Sequence, residues 1–578
     1  MIRFVDLPSD YSSRAIHENR RGMEPVWNLA ACDLETAKID GQMAPISMSF
    51  TGDGRHATFH RTTTETALSD FFQLLAGWAK PKTCNIVWFF NLAYDFQFLC
   101  LHHKGWFLDL EKTFTVNIYG CTIKAWTEKT WFMDIKLPDG RMVYLRDAMR
   151  YVEDTLDGAA ERCGIDIRKL PKPAYLGTRV PRAKELPAFI DYAARDVLIT
   201  YRLAKQFELF HRSYDVRMAV SLAHASQRIW RHKFLQPQDR IWLPKAHAIT
   251  ASEAAFHGPR IRRFVPQGWY KKTWELDVNG AYAWAMAQLP SPLEGSYRWV
   301  RQVPNGEHGV ICISGTTTDP RGLLLNHRGD PITGDFTEVW TTVYEVEELL
   351  RSGTLDLKSA QGYVYTSRAA RNPFRAFAEH CWARKLAAAP HSFDGLAHKV
   401  MPNALWGKMG SVRSGTETAN IGKDREVTID RTHRMSQMYH PFFAALIPGM
   451  VRARMHELEE KYDALTTSTD AIRTQTRPDP ADIGTTMGTL KVAQYGDCCI
   501  LDDRLVYHRS ATGGKARASY HGFKKDMDEL LRVAELRLAG KEATTTVRRM
   551  YSIRQAARMR SRNVIPMEIR IEPMNVTA

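Results

Sequence analysis

The chain has 578 residues, 44% of them hydrophobic and 25% charged, with a net charge of +15. That length exceeds one hydrophobic core, so several domains are expected, and the composition excludes a disordered or fibrous protein; no apolar run approaches the roughly 18 residues of a membrane span. The basic excess points to a polyanionic partner, most simply nucleic acid, while nine cysteines, an odd number without zinc spacing, argue against structural zinc and for a reducing, intracellular setting.

In chain order, residues 1 to about 23 are polar and read as a leader before the first folded element, not as a secretory signal. Trp27 to Thr36 reads as a buried strand ending in alternating carboxylates, with Asp33 and Glu35 on one face. Thr83 to Phe90 is a second apolar strand, running through Asn91-Leu92-Ala93-Tyr94-Asp95 into a helix expected from Phe96, so Asp95 lies just past a strand end. Pro187 to Phe210 is helical by pattern, and Tyr192 and Asp196 share one of its faces. Alone, Asp196 also suits a solvated residue pairing with Arg195 or Lys205. Together, four carboxylates and a phenol on three segments could hold two cations and orient a water against a phosphodiester.

That order, with the Tyr192–Asp196 spacing, resembles the DEDDy 3′–5′ exonucleases over residues 27–210. The resemblance implies that Asp33, Glu35, Asp95 and Asp196 bind metal and that Tyr192 positions the attacking water. It also implies that Asn91 helps to hold a single-stranded 3′ end.

Asp215 to Tyr270 brings a helical stretch, then Phe256-His257-Gly258-Pro259-Arg260 and the Arg262-Arg263 pair. A glycine beside arginines suits close approach of backbone to phosphate, and suits an ordinary turn equally. Lys272 to Leu276 reads as a strand; Asn279-Gly280 breaks it, and a helix runs from Ala281 to Leu289. Asp277 therefore ends a strand, with Tyr282 on the helix; alone, such an Asp is a turn or cap residue. Residues 290 to 372 are mixed and turn-rich around a helix at Val343 to Arg351. Asn372 to Ala389 is a helix carrying Arg384 and Lys385. Further on, Lys399, Asn403, Trp406 and Gly407 lie along one helical stripe. Cation, amide and flat aromatic fit triphosphate, sugar and base, or else a core-facing aromatic with a snorkelling lysine. Residues 411 to 440 are polar, Pro441 to Tyr462 is a long helix, and Ala464 to Ile472 is a hairpin strand presenting Asp470. One Asp cannot hold two cations, and Asp470 is the candidate partner of Asp277. The tail is basic through Lys515, Arg517, Lys524 and Lys525, and helix-like from Ala534 to Arg562.

Over residues 27 to about 560 the chain resembles a family B DNA polymerase of the compact protein-primed type found in bacteriophages and linear plasmids. Asp277 to Tyr282 is similar to motif A, Lys399 to Gly407 to motif B, and Ser468-Thr469-Asp470 to motif C. Phe256 to Arg260 stands where the family links its two activities, and Leu505-Val506-Tyr507 where it has Lys-x-Tyr. The resemblance implies an α/β multidomain (α+β) fold: a leader at 1–23, an RNase H-like 3′–5′ exonuclease domain at 24–215 and a right-hand polymerase domain at 216–578. Within the hand it implies a palm at 216–288 and 443–522, fingers at 373–410 and a thumb at 523–578, with insertions at 289–372 and 411–442.

The resemblance further implies two Mg²⁺ (or Mn²⁺) ions per active site, with Asp277, Val278 and Asp470 at the polymerase metals. Tyr282 stacks under the sugar and excludes a 2′-hydroxyl, Lys399 with Arg384 or Lys385 neutralises the triphosphate, Asn403 joins them, and Trp406 backs the nascent pair. Gly258, Arg260 and Tyr507, with Asn91, contact DNA. The implied protein is a DNA-directed DNA polymerase with proofreading, protein-primed initiation and strand displacement, a monomer in the bacterial cytoplasm, encoded by a phage or plasmid. Its partners are template, primer, dNTPs and a terminal protein, and no membrane.

Several residues depart from the pattern: Ser468 replaces a carboxylate, Trp406 a Tyr, Leu505 a Lys, and Gly280 and Ala283 a Ser and a Pro, while Pro402 should kink the motif B helix. They keep two alternatives open: an exonuclease whose polymerase half is a DNA-binding platform, and a primer-independent polymerase.

Overall fold

Alternation along one strand decides where the carboxylates of the N-terminal half point. The computed structural model describes residues 14–15, 26–99, 115–126, 132–241, 243–413, 417–421, 427–431, 434–435, 438–501, 503, 505–510, 517–520, 527–550 and 564–571. Strands β1 (Trp27–Ile39), β2 (Gln42–Thr51) and β3 (Thr58–Arg61) lead to helix α1 (Ala67–Trp78), β4 (Cys84–Phe89) and α2 (Leu92–Leu99). Then come β5 (Thr115–Ile118), β6 (Cys121–Trp126), β7 (Phe132–Lys136) and β8 (Met142–Asp147). They form one eight-stranded sheet in the order β3-β2-β1-β4-β8-β7-β6-β5, parallel only between β1, β4 and β8. Along β1, Ala30, Cys32 and Leu34 pack with Phe71 and Phe89 on the α1–α2 side. Leu29 and Ala31 pack with Trp88 on the other side, against Val197, Leu203 and Phe207 of α4 (Leu186–Ser213), which follows α3 (Leu156–Arg162). Period two therefore carries Asp33 and Glu35 to the α4 side as well. Asp95 differs from expectation: α2 begins at Leu92, so Asp95 sits inside the helix.

The second half begins with α5 (Leu222–Ile229), α6 (Ala246–Ala254), β9 (Ile261–Arg263), β10 (Gly268–Val278) and α7 (Ala281–Gln288). The stretch 290–372, expected only as mixed, is a four-stranded antiparallel sheet in the order β11-β14-β12-β13. Its strands are β11 (Gly295–Val300), β12 (His308–Thr317), β13 (Gly334–Thr342) and β14 (Leu355–Ser367), with α8 (Val343–Arg351) packed on it. Two helices follow, α9 (Pro373–Ala387) and α10 (Phe393–Met409), the second running unbroken through Pro402. After short paired segments between 412 and 435 comes α11 (Pro441–Lys461). The last large sheet is antiparallel, β9-β15-β16-β10-β17-β18-β19, adding β15 (Thr466–Ser468), β16 (Ala471–Thr474), β17 (Leu490–Ile500), β18 (Leu505–Ser510) and β19 (Arg517–Tyr520). Helix α12 (Met527–Leu538) stops well short of the expected Arg562 and gives way to the hairpin β20 (Ala543–Met550) and β21 (Val564–Ile571). Its turn, like Lys515, Lys524 and Lys525 and most of the leader, lies outside the described residues. Among the described residues no helix is long and apolar enough to cross a membrane.

Buried ion pairs fasten α11 to its surroundings. Arg452, 1% exposed, bonds Glu345 of α8 at 2.9 Å and the carbonyls of His257 and Gly258 at 2.7 and 3.0 Å. His456 lies between Glu348 at 2.8 Å and Asp319 at 3.2 Å. Arg452→Met keeps the length but leaves the Glu345 charge buried without its guanidinium partner, so the variant should lose about 3–5 kcal/mol of stability, seen as a lower urea midpoint. A midpoint unchanged from wild type would contradict this fastening.

At the C-terminal end of α4, the Tyr214 hydroxyl bonds Nε2 of His380 on α9 at 2.6 Å and Nε2 of His398 on α10 at 2.5 Å. One long helix thus begins beside the β1 carboxylates and ends on the α9–α10 pair.

Candidate active sites

In the first half, ligand atoms of Asp33, Glu35 and Asp196 all lie within 4.8 Å of one another. Tyr192 stands one turn before Asp196 on α4, and both are 5% exposed. Asp95 is buried beside this set: its Oδ1 accepts the Leu34 N–H at 2.9 Å, and the charges of Asp33 and Glu35 act on it. Desolvation, with the neighbouring carboxylates, raises Asp33 to about 7 and Glu35 to about 9, and burial raises Asp95 and Asp196 too. Negative charge is therefore costly here without a cation. Lys169 supplies one: its ammonium pairs with Asp196 and lies 5.1 Å from the Tyr192 ring centre. Burial pulls this ammonium down, yet Asp196 holds it above its ordinary range. The other oxygen of Asp196, Oδ1, is buried with no hydrogen-bond partner, as a metal ligand would be. The residues present fit a divalent cation. Asn91 sits at the β4–α2 turn with φ +72°, its N–H on Asp147 at 2.9 Å.

Lys169 escaped the sequence reading because it lies in a loop with no periodicity. Arg168 bonds Asp157 at 2.8 Å, and the Lys169 N–H bonds the same carboxylate at 3.1 Å, which fixes the loop against α3.

In the second half, β10 pairs with β16 so that Asp277 opposes Ala471, and the Val278 N–H donates to the Asp470 carbonyl at 2.8 Å. Asp470 occupies the β15–β16 turn, where Thr469 takes φ +64° and gives its N–H to the Arg260 carbonyl at 2.7 Å. The two carboxylates come from positions far apart in sequence and end side by side. Desolvation and the Asp277 charge raise Asp470 to about 6, opposed by Lys491 and Lys399. Lys491, on β17 opposite Asp277, bonds it at 2.5 Å. Burial, with Lys491 and Lys399, lowers the Lys385 ammonium, whose Nζ lies 3.9 Å from the Trp382 ring centre. Three lysines thus surround two aspartates, a charge pattern that suits divalent cations below a polyphosphate.

Above the aspartates, Tyr282 stacks on Trp406 with ring centres 4.9 Å apart and planes 23° from parallel. Lys399 and Asn403 are exposed along the same side of α10. Gly280, a departure in the sequence, has a local reason: its φ is +58°, and a Cβ there would lie 2.9 Å from Trp382. Arg384 is engaged with Asp394 at 3.2 Å.

Of the residues expected at DNA, Arg260 and Tyr507 are buried, while Gly258 is exposed. Arg260 is 4% exposed, bonding Glu459 at 2.7 Å and the Gly322 carbonyl at 2.9 Å, so its guanidinium is spent inside the protein. Gly258 gives its carbonyl to Arg452. Tyr507 is 7% exposed and packs edge-on against Trp269 at 5.9 Å.

Residues 178–443 match the family described as DNA polymerase type B, organellar and viral. None of the curated proteins compared matches the chain. Among solved structures, Phi29 DNA polymerase complexed with primer-template DNA is similar, with a TM-score of 0.69 at 13% identity, covering 94% of this chain and 99% of that one. The same enzyme complexed with single-stranded DNA matches with a TM-score of 0.66 at 14% identity, over 90% and 96% of the two chains. The fold class expected from the sequence is the fold found.

Proposed function

We propose that this chain is a template-directed DNA polymerase with a separate 3′–5′ exonuclease site, a reading supported by the match of residues 178–443 to the type B DNA polymerases and by the fold shared with the Phi29 enzyme. The observation that carries the reading is the meeting of Asp277 and Asp470 across β10 and β16, with Lys385, Lys399 and Lys491 around them.

In the polymerase site Asp277, Asp470 and the Val278 carbonyl would hold Mg²⁺ or Mn²⁺, two ions per site. Such ions, when bound, ease deprotonation of an attacking hydroxyl and neutralise charge on the leaving oxygens. Lys399 and Lys385 orient the triphosphate, Asn403 adds an amide beside it, and Arg384 holds Asp394. Tyr282 sits under the sugar, and Trp406 backs the new pair. In the exonuclease site Asp33, Glu35, Asp95 and Asp196 would hold the ions, Asp95 also bracing β1 through the Leu34 N–H, with Lys169 and Tyr192 placed to orient water toward the phosphodiester. Asn91 steadies the 3′ end. The complexes of the Phi29 enzyme with primer-template DNA, with incoming nucleotides and with single-stranded DNA support template, primer and dNTPs as partners. A terminal protein as primer, with strand displacement, is part of the same proposal, as are a monomer and an intracellular site of action in a phage or plasmid host.

The test is extension of a labelled primer on circular single-stranded DNA with dNTPs and Mg²⁺. Extension with dNTPs, shortening without them and loss of both on chelation are expected. Shortening with no extension in either Mg²⁺ or Mn²⁺ would favour the second reading, an exonuclease on a DNA-binding platform, which Ser468 in place of a carboxylate motivates.

A further inference from the structure

Helix α11 carries Pro448 in its interior. Position 448 has no N–H for the carbonyl four residues earlier, that of Ala444, and the proline ring pushes that carbonyl away from the helix axis. A buried carbonyl without a donor is costly. Here the donor comes from another helix: Nε1 of Trp406 on α10 reaches the Ala444 oxygen at 3.0 Å. Trp406 is therefore held at its N–H edge and on one face. Its N–H is fixed on α11, and its face lies on Tyr282 at 4.9 Å, with Phe256 at 6.4 Å. Tyr282 cannot retreat, for it is 5% exposed and rooted in the first turn of α7 directly after Gly280, which Trp382 covers.

We propose that Trp406 is a positioning residue: its indole N–H, anchored on the carbonyl that Pro448 leaves open, fixes the plane of Tyr282 and so sets how closely the site fits a deoxyribose rather than a ribose. The inference rests on the polymerase reading above and names the part of the substrate, the sugar of the incoming nucleoside triphosphate, that this anchor governs. Stacking alone does not suffice, because phenylalanine at 406 stacks too but has no N–H.

The test compares wild type, Trp406→Phe, Pro448→Ala and the double variant in steady-state incorporation of one dNTP and its rNTP, with single-strand shortening as the control for folding. Trp406→Phe should raise KM for the dNTP about five- to tenfold, the loss of one hydrogen bond, with a smaller change in kcat and a narrowed preference for deoxyribose. Pro448→Ala returns an N–H to α11, lets residue 448 compete for the Ala444 oxygen, and should shift KM and sugar preference the same way without lowering thermal stability. The double variant should be no worse than Trp406→Phe, because both changes remove one interaction. Wild-type KM and sugar preference in Trp406→Phe, or additive effects in the double variant, would overturn the proposal. A wild type that extends no primer would overturn the polymerase reading and this inference with it.

Discussion

Asp470→Ala should abolish primer extension and leave primer shortening intact. Its carboxylate stands beside Asp277, and desolvation with that neighbour raises it to about 6. Removing it strips the site of half its paired aspartates, and with Ser468 at the other motif C position no second carboxylate of that turn can substitute. A lost metal clamp is worth several kcal/mol of transition-state stabilisation, so extension should fall by about a thousandfold or more. Stability should move the other way or not at all, since a desolvated, crowded carboxylate opposes folding. Extension and shortening measured on one labelled primer, beside a thermal melt, decide the matter. A variant that still extends at a tenth of the wild-type rate would remove Asp470 from the site.

The mirror experiment is Asp33→Ala, which should lose shortening by a similar factor and keep extension. Asp33 shares its cluster with Glu35 and Asp196, whose negative charge Lys169 offsets only in part. Without Asp33 the ammonium has one carboxylate fewer against it, and the cation site loses a ligand that β1 alone can supply. Loss of both activities in either variant would contradict two independent sites. A Lys169→Met variant read alongside it separates cation holding from water orientation: its shortening rate should fall while its Mg²⁺ dependence stays near wild type.

What could be read beforehand follows from how local each signal is. Period-two alternation aims Asp33 and Glu35 at the face that α4 covers, and the four-residue step brings Tyr192 over Asp196; both are fixed by the backbone of one element. Asp277 and Asp470 were legible as strand-end and hairpin carboxylates, though their meeting depends on a long-range register between β10 and β16. Lys169 and Lys491 were not legible, because a single lysine in a loop or on a half-exposed strand carries no periodic mark. Arg260 looked like a phosphate contact by its glycine neighbour, yet Glu459, two hundred residues on, claims it. The sheet between 295 and 367 was hidden because its strands β11 and β14 pair across the whole segment. Gly280 and Trp406 read as departures from a pattern and prove to answer to their neighbours Trp382 and Ala444.

Helix α4 carries Asp196 near its first third and ends at Tyr214, hydrogen-bonded to the α9–α10 pair that bears Lys385 and Lys399. Eighteen residues of uninterrupted helix separate those two points, a span of about 27 Å at the usual rise. No proline interrupts it there, so it acts as a strut of fixed length. The two groups of carboxylates are thereby spaced by the helix, and neither can be brought to the other. On the proposed reading, a primer end would have to travel between the two sites.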